Sequence, residues 1–485
     1  MLLTFLLSIF ARKPLDLILA QAEDTGHGLR RTLTGTNLVL LGIGAIIGTG
    51  IFVLTGTAAA QYAGPAIAIS FIVSGIACTF AALCYAEMAS MIPISGSAYT
   101  YAYATLGQLV AWIIGWDLVL EYLFGASTVA VGWSGYVVSF LRDLGITVPA
   151  AISQAPFAHS METGWTQTGA IINLPAVLVV LLCTALLYVG VKESARFNNA
   201  IVVVKLTVLG LFLVFGAMHV VPENWMPFIP ENTGVDGQFG WSGIMRGAGV
   251  IFFAYIGFDS VSAMAQETKN PQRDMPFGII GSLVVCTLLY IAVSLVLTGV
   301  IKYDRLNVPD PMAVAVDAAG PALMWLRPFI KLGAVAGLSS VVLVLLMAQP
   351  RILFSMARDG LLPSASARIH PKFQTPYIMT VVTGLLSALI AGLLPIGVLG
   401  ELVSIGTLLA FVLVCIGVLV LRIKEPNAHR PFRTPAVYVV SILGALGALV
   451  QMWSLPQETW DRLYVWMAIG LVLYFTYGRR NATIK

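Results

Sequence analysis

Gly42-Ile43-Gly44-Ala45-Ile46-Ile47-Gly48-Thr49-Gly50-Ile51-Phe52 decides how the rest of the chain is read. These residues sit inside an apolar run, Leu38 to Ala60, long enough for a helix to cross a bilayer, which takes ~20 residues. Four glycines within nine positions weaken that helix at its middle, each by ~1 kcal/mol relative to Ala. Gly48-Thr49-Gly50 is the weakest point, with a β-branched residue between two glycines. A spanning helix breaks at mid-membrane only where the freed N–H and C=O groups are buried in protein or line a cavity. Such groups bind a zwitterion, half-helix N-termini meeting a carboxylate and loosened carbonyls an ammonium. The competing reading is close helix packing through Gly44 and Gly48, a small-xxx-small pair. This run alone leaves both readings open. A phosphate cradle is excluded, because the spacing is not GxGxxG and no strand–helix unit surrounds it.

Composition sets the class. Of 485 residues 58% are hydrophobic and 10% charged, with a mean hydropathy of +0.89, whereas a soluble chain carries about a quarter charged residues. The chain is a polytopic membrane protein. A net charge of +4, dispersed along the chain, gives no footprint for nucleic acid. Cys78, Cys84, Cys183, Cys286 and Cys415 all lie in apolar runs without metal-ligand spacing, as small core residues do. No metal site and no cofactor is implied. Met1 to Phe10 is too short and wrongly flanked for a secretory signal, since Arg12 and Lys13 follow it; an amphipathic segment lying along the membrane surface is expected there.

Apolar runs of spanning length fall at roughly 38–60, 66–92, 98–124, 172–191, 200–219, 243–265, 277–300, 330–356, 376–394, 400–422, 434–453 and 462–478, twelve in all. Apolar character persists from Ser97 to Leu141, enough for two spans, and charge decides between one and two. With one span and 125–141 as a non-crossing outer segment, nineteen Lys and Arg fall on the inner side and six on the outer, leaving aside Lys205 and Arg246. With two spans the balance becomes ten against fifteen. Cytoplasmic loops carry the excess of Lys and Arg, so one span is expected, with both termini cytoplasmic. Among the outer connections, 220–240 reads as a surface loop, and Asp310 to Gly320 as a short helix capping a vestibule.

Five spans precede a sixth that again carries a mid-span glycine, in Phe252-Phe253-Ala254-Tyr255-Ile256-Gly257-Phe258-Asp259. Because five is odd, a second set of five enters the membrane with opposite orientation. Interrupted helices at corresponding places in two halves point to a transporter site, and with the sixth span in view the broken-helix reading of the first is favoured.

Three ionisable residues lie within apolar runs. Lys205 stands alone in Ala200 to Val208, where a mid-bilayer charge costs ~2.5–3.5 kcal/mol on insertion scales. Two readings are open: the stem snorkels to the cytoplasmic interface, or the amine is buried and exchanges its proton near neutral pH. Glu121 follows Asp117 by one helical turn; one or both are either solvated near the outer interface or functional. Asp259, next to the sixth-span glycine, is too deep for solvation and is expected to be hydrogen-bonded or ion-paired.

Gly42 to Phe52, Phe252 to Asp259, Glu267-Thr268-Lys269-Asn270-Pro271-Gln272-Arg273-Asp274-Met275-Pro276, and Arg351-Ile352-Leu353-Phe354-Ser355-Met356-Ala357-Arg358-Asp359-Gly360-Leu361-Leu362-Pro363 together resemble the amino acid–polyamine–organocation superfamily. Within it, residues 28–480 are similar to the bacterial branch of the cationic amino acid transporters. The resemblance implies an all-α, LeuT-type fold of twelve transmembrane helices: a cytoplasmic segment (1–37), a five-helix repeat (38–219), its inverted copy (243–422), two further helices (434–478) and a cytoplasmic tail (479–485). It implies that the substrate carboxylate meets the break at Gly48, Thr49 and Gly50, and that the ammonium meets carbonyls of Ile46, Phe253, Ala254 and Ile256. It also implies that Lys205 occupies the place of a sodium ion, near Ser339 and Ser340. From their places within apolar runs, Glu121 and Asp259 are further proton-coupling candidates. Relatives that bind a single-span partner use a cysteine between the third and fourth spans; the 142–170 loop has none, so no disulfide-linked subunit is expected.

The function expected is import of amino acids across the cell membrane by proton symport with alternating access, the partners being substrate, proton and lipid. Exchange without net proton coupling is the runner-up. A sensor would need a cytosolic output domain, and a channel a pore lined along its length. An enzyme is disfavoured, since no His/Cys/acid cluster or nucleophile motif appears among five histidines. Leu345, nearly two turns before Arg351, is a candidate for a pocket wall.

Overall fold

The computed structural model describes residues 11–23, 31–160, 164–235, 237–308, 310–453, 455 and 457–483. The expected surface segment Met1–Phe10, and the inner-side charges Arg30 and Lys485, lie outside the described residues.

After a short helix α1 (Leu15–Glu23), the first broken run begins as α2 (Gly35–Ile46). Its start is set by a capping box: Asn37 N donates to Thr34 Oγ1 at 3.4 Å, and Thr34 N donates back to Asn37 Oδ1 at 3.1 Å. The helix stops at Ile47, whose ψ of 96° is extended, and resumes from Gly50 to Ala63 in a mixture of π and α turns. There follow α3 (Ile67–Met91), α4 (Ser97–Thr105), α5 (Gln108–Asp143), α6 (Leu174–Val189), α7 (Val191–Ala217) and α8 (Gly240–Ile251). The second break lies beyond α8: a 3₁₀ stretch Phe252–Tyr255, an open turn at Ile256 and Gly257, and another 3₁₀ stretch Asp259–Glu267. The chain continues through α9 (Pro271–Val300), α10 (Pro311–Ala318), α11 (Arg327–Arg358), α12 (Tyr377–Leu393), α13 (Ile396–Lys424), α14 (Val437–Trp453) and α15 (Gln457–Leu473).

Among the described residues, seven helical stretches, 24–42 residues long, are apolar and long enough to cross a membrane. Gly35–Ile46, Leu174–Val189 and Tyr377–Leu393 are apolar but shorter, and Val437–Trp453 meets the following helix at 111°. The surface has the polarity a lipid solvent demands. On α14 Tyr438, Val439, Ile442 and Leu446 are exposed, while Ser441, Gly444 and Gln451 face inward. Water would select the reverse.

Two expectations need correction. The third span does not run over 98–124 with a separate outer segment 125–141. Instead Ser97–Thr105 is a helix of its own, ended before Gly107 (φ +107°), and one unbroken helix runs from Gln108 to Asp143. Hydropathy is continuous through this region, so only the glycine's backbone conformation marks the boundary. The all-α description also omits a small hairpin in the connection after α5, where β1 (Phe157–Ser160) pairs antiparallel with β2 (Gly164–Gln167). The expected cap helix is present as α10, and its Pro311 packs on Gly56, where an added Cβ would lie 2.5 Å away.

Candidate functional site

The two breaks touch. A Cβ on Gly50 would lie 2.4 Å from Ala254 Cα, and one on Gly257 (φ +124°) would lie 2.7 Å from Ala45 Cβ. These two glycines let the interrupted helices cross at backbone distance, and no other residue type fits at either place. At the first break the amides of Gly48, Thr49 and Gly50 open the resumed helix, so they have no carbonyl one turn earlier to bond to. Thr49 Oγ1 is buried without a hydrogen-bond partner. Gly48 abuts Val341 of α11, and Thr49 faces Gly132 of α5. Donors for an anion therefore lie where the first break packs between α5 and α11.

The carbonyls assigned to the ammonium are partly engaged. Tyr290, on α9, places its hydroxyl 2.7 Å from Ile46 O and 2.8 Å from Ala254 O, bridging one carbonyl from each break. Phe253 O accepts from Ile256 N at 3.3 Å. A carbonyl has two lone pairs, so a further donor still finds an acceptor there.

Lys205 settles beneath the first break. It is fully buried, and its Nζ donates to Ile43 O, Gly44 O and Ile47 O, each at 3.0 Å, and to Ser340 Oγ at 2.8 Å. Snorkelling is thereby overturned. The side chain turns inward to the carbonyls that the helix break loosens, where an ammonium has more partners than its three hydrogens can use. Gly337 of α11 lies alongside the stem, and an added Cβ there would stand 3.5 Å from Lys205 Cδ and 3.0 Å from Phe52 Cε2. Ser340 belongs to this cluster; Ser339 does not, since its hydroxyl accepts from Trp133 Nε1 at 2.8 Å and donates to Val335 O.

Glu121 and Asp259 are not part of it. All the groups that Lys205 meets are neutral. Asp259 accepts from the Tyr122 hydroxyl and, at 3.2 Å, from Gly257 N. Glu121 and Asp117 are buried, to 1% and 0% exposure, which excludes solvation near an interface for either. Their placement follows from the start of α5 at Gln108, well below the level that a span beginning at 98 would set. Leu345 points inward, its Cδ1 3.2 Å from a Cβ at Gly125, with Val403 of α13 alongside.

The two remaining motifs meet one another. Glu267, after the second break, receives Arg351 of α11 in a two-pronged buried pair, Nε to Oε2 at 2.9 Å and Nη2 to Oε1 at 2.8 Å. Glu267 O also accepts from Leu33 N at 2.9 Å, fastening the segment before α2. On the other side of the breaks the Tyr136 hydroxyl donates to Phe52 O at 2.8 Å. Sequence reasoning misses Tyr290: its signal is one polar group within an apolar helix, and nothing local says where it points.

Paired helix breaks at the centre of an apolar helical bundle, with a buried ammonium beneath one of them, define a polytopic membrane permease. The amino acid permease family profile matches residues 33–474. The chain is 48% identical to a methylthioribose transporter and 48% identical to the branched-chain amino acid permease BcaP, both of Bacillus subtilis, over 99% of each chain. It is 38% identical to a vacuolar cationic amino acid transporter of Arabidopsis thaliana over 87% of this chain and 68% of that one. The chain belongs to the amino acid permease family, within the amino acid–polyamine–organocation superfamily, and is a transporter rather than an enzyme.

Proposed function

We propose that this protein imports amino acids across the cell membrane by proton symport, through alternating access in a LeuT-type arrangement of twelve crossings with both termini cytoplasmic. Lys205 carries the reading: its ammonium is held by the same loosened backbone that forms the substrate break. In the charged form it donates to Gly44 and Ile47; loss of a proton to water leaves two N–H donors among four acceptors, which loosens that hold and frees the first helix to move. The substrate carboxylate then meets the Gly48–Gly50 amides, and the ammonium the carbonyls around Ile46, Phe253, Ala254 and Ile256. The Tyr136–Phe52 contact and the Glu267–Arg351 pair are the two closures that open in alternation.

The test is uptake of a labelled panel (L-leucine, L-alanine, L-lysine and L-arginine) into proteoliposomes, with and without an imposed pH gradient. Accumulation of at least one member only with the gradient is expected. Uptake indifferent to the gradient supports the exchange reading instead. A second reading rests on the relative named a methylthioribose transporter. Methylthioribose is a thiomethylated pentose with neither carboxylate nor ammonium, so it would leave the backbone donors at Gly48–Gly50 without an anion. Amino acid amides and N-acetyl amino acids should compete poorly; strong competition by methylthioribose and none by leucine would favour the second reading.

A further inference from the structure

Near the start of α7 a buried amide faces the first broken helix with only one of its two ends engaged. Asn198, fully buried, donates from Nδ2 to Leu40 O of α2 at 3.1 Å. Its Oδ1 is buried and has no hydrogen-bond partner. The Leu40 carbonyl fixes this orientation, because only the nitrogen of the amide can donate to it. The amide packs on Gly44, where an added Cβ would stand 2.3 Å from Oδ1, 2.9 Å from Nδ2 and 3.0 Å from Cγ. A side chain at 44 would have to displace it. Gly44 meets α7 a second time through its own carbonyl, which accepts from Lys205 Nζ at 3.0 Å, about two helical turns further along. A further hold comes from α11, where Ser340 Oγ donates to Gly44 O at 2.9 Å.

Lys205 and Ser340 therefore seat α2 through satisfied hydrogen bonds, and Asn198 does not. An unmet buried acceptor costs more than a single neutral hydrogen bond returns, so with α2 seated the Asn198 side chain contributes a net penalty. Withdrawal of α2 uncovers the amide, and water then satisfies Oδ1 and Nδ2 together. We infer that Asn198 is a positioning residue that favours release: it offsets part of the hold exerted by Lys205 and so sets how readily the first helix leaves α7. The inference rests on the alternating-access reading. A moving element held only by satisfied bonds would leave its seat slowly, and one unmet acceptor at the contact lowers that cost without touching the substrate break.

The experiment compares wild type with Asn198→Leu and Asn198→Ala, which both delete the unmet acceptor together with its donor; Leu keeps most of the side-chain volume and Ala does not. Initial uptake of the best-transported member of the amino acid panel into proteoliposomes gives KM and Vmax. Hydrogen exchange of residues 35–47 in detergent reads the opening of α2 directly. In at least one variant Vmax and KM should both fall by ~3-fold or more, because the seated state is favoured and leaving it is slower. Exchange over 35–47 should slow by a similar factor in that variant. A fall in Vmax with KM unchanged or raised in both variants, together with faster exchange, would mean that Asn198 holds α2 or merely fills space, and overturns the inference. Parental kinetics and parental exchange in both variants overturn it equally. A wild type that shows no counterflow of labelled substrate against an unlabelled load would remove alternating access, and this inference with it.

Discussion

Two buried ionic centres flank the helix breaks, and they are built on opposite terms. Lys205 has four acceptors within 3.0 Å. Asp117 and Glu121 have no donors. An ammonium among satisfied carbonyls is anchored, and its removal deprives the Ile47 carbonyl of its donor. A carboxyl pair without partners is anchored by nothing polar, and replacing it by an amide of the same shape removes no contact. One centre holds a broken helix through satisfied hydrogen bonds, and the other holds two acids without any. Removing a partner from a buried charge or carbonyl is what costs stability, whereas an unpaired acid contributes little.

The largest expected effect breaks the frame common to both centres. Gly50→Leu drives a side chain into Ala254, whose Cα lies 2.4 Å from the new Cβ. Transport should be lost altogether, by ~100-fold or more if the breaks bind substrate backbone groups. Near-normal uptake would return the glycines to a packing role. Next comes Lys205→Arg. The guanidinium keeps its charge but does not release its proton in the working range, so gradient-driven accumulation should vanish while some substrate binding remains. Parental accumulation by that variant would mean that Lys205 only anchors.

The contrast itself is read most directly by thermal unfolding in detergent. Lys205→Ala should cost ~1.5–3 kcal/mol, the range for hydrogen bonds to a charged group. Glu121→Gln should change stability by less than ~1 kcal/mol. Similar losses in both would erase the distinction between anchored and unanchored centres. A smaller effect is expected at Tyr290→Phe, which removes one hydroxyl bridging Ile46 and Ala254. A cost of ~0.5–1.5 kcal/mol, seen as weaker substrate binding, fits a single hydrogen bond; no change would mean the bridge is displaced when substrate binds. Smallest in stability, though not in specificity, is Leu345→Ala, opposite Gly125. Longer side chains should be accepted beside the α5 glycine, and an unchanged substrate range would place the pocket wall elsewhere.

The sequence by itself determined the class of solvent, the helical runs apart from the third, both helix breaks and the presence of a lysine where a membrane tolerates charge poorly. Those features are local: hydropathy and glycine spacing act within one helix. It left Lys205 undecided between the interface and the protein interior, because a lysine stem reaches either from the same backbone position. Only the crossing of α2, α7 and α11 turned the amine inward, to the Ile47 carbonyl and the Ser340 hydroxyl. The boundary at Gly107 was equally invisible, since apolar composition runs across it and a positive φ does not alter hydropathy. That boundary carries Asp117 and Glu121 into the buried interior. Tyr290 shows the same limit, for its partners come from two helices far away in the chain. Which group a buried polar side chain meets is a property of how helices cross, and the crossing is set by small residues acting in pairs, Gly50 on Ala254 and Gly257 on Ala45. Each member is legible in the sequence as a glycine or an alanine. That they meet is decided by packing, because a backbone approaches a backbone only where both lack bulk.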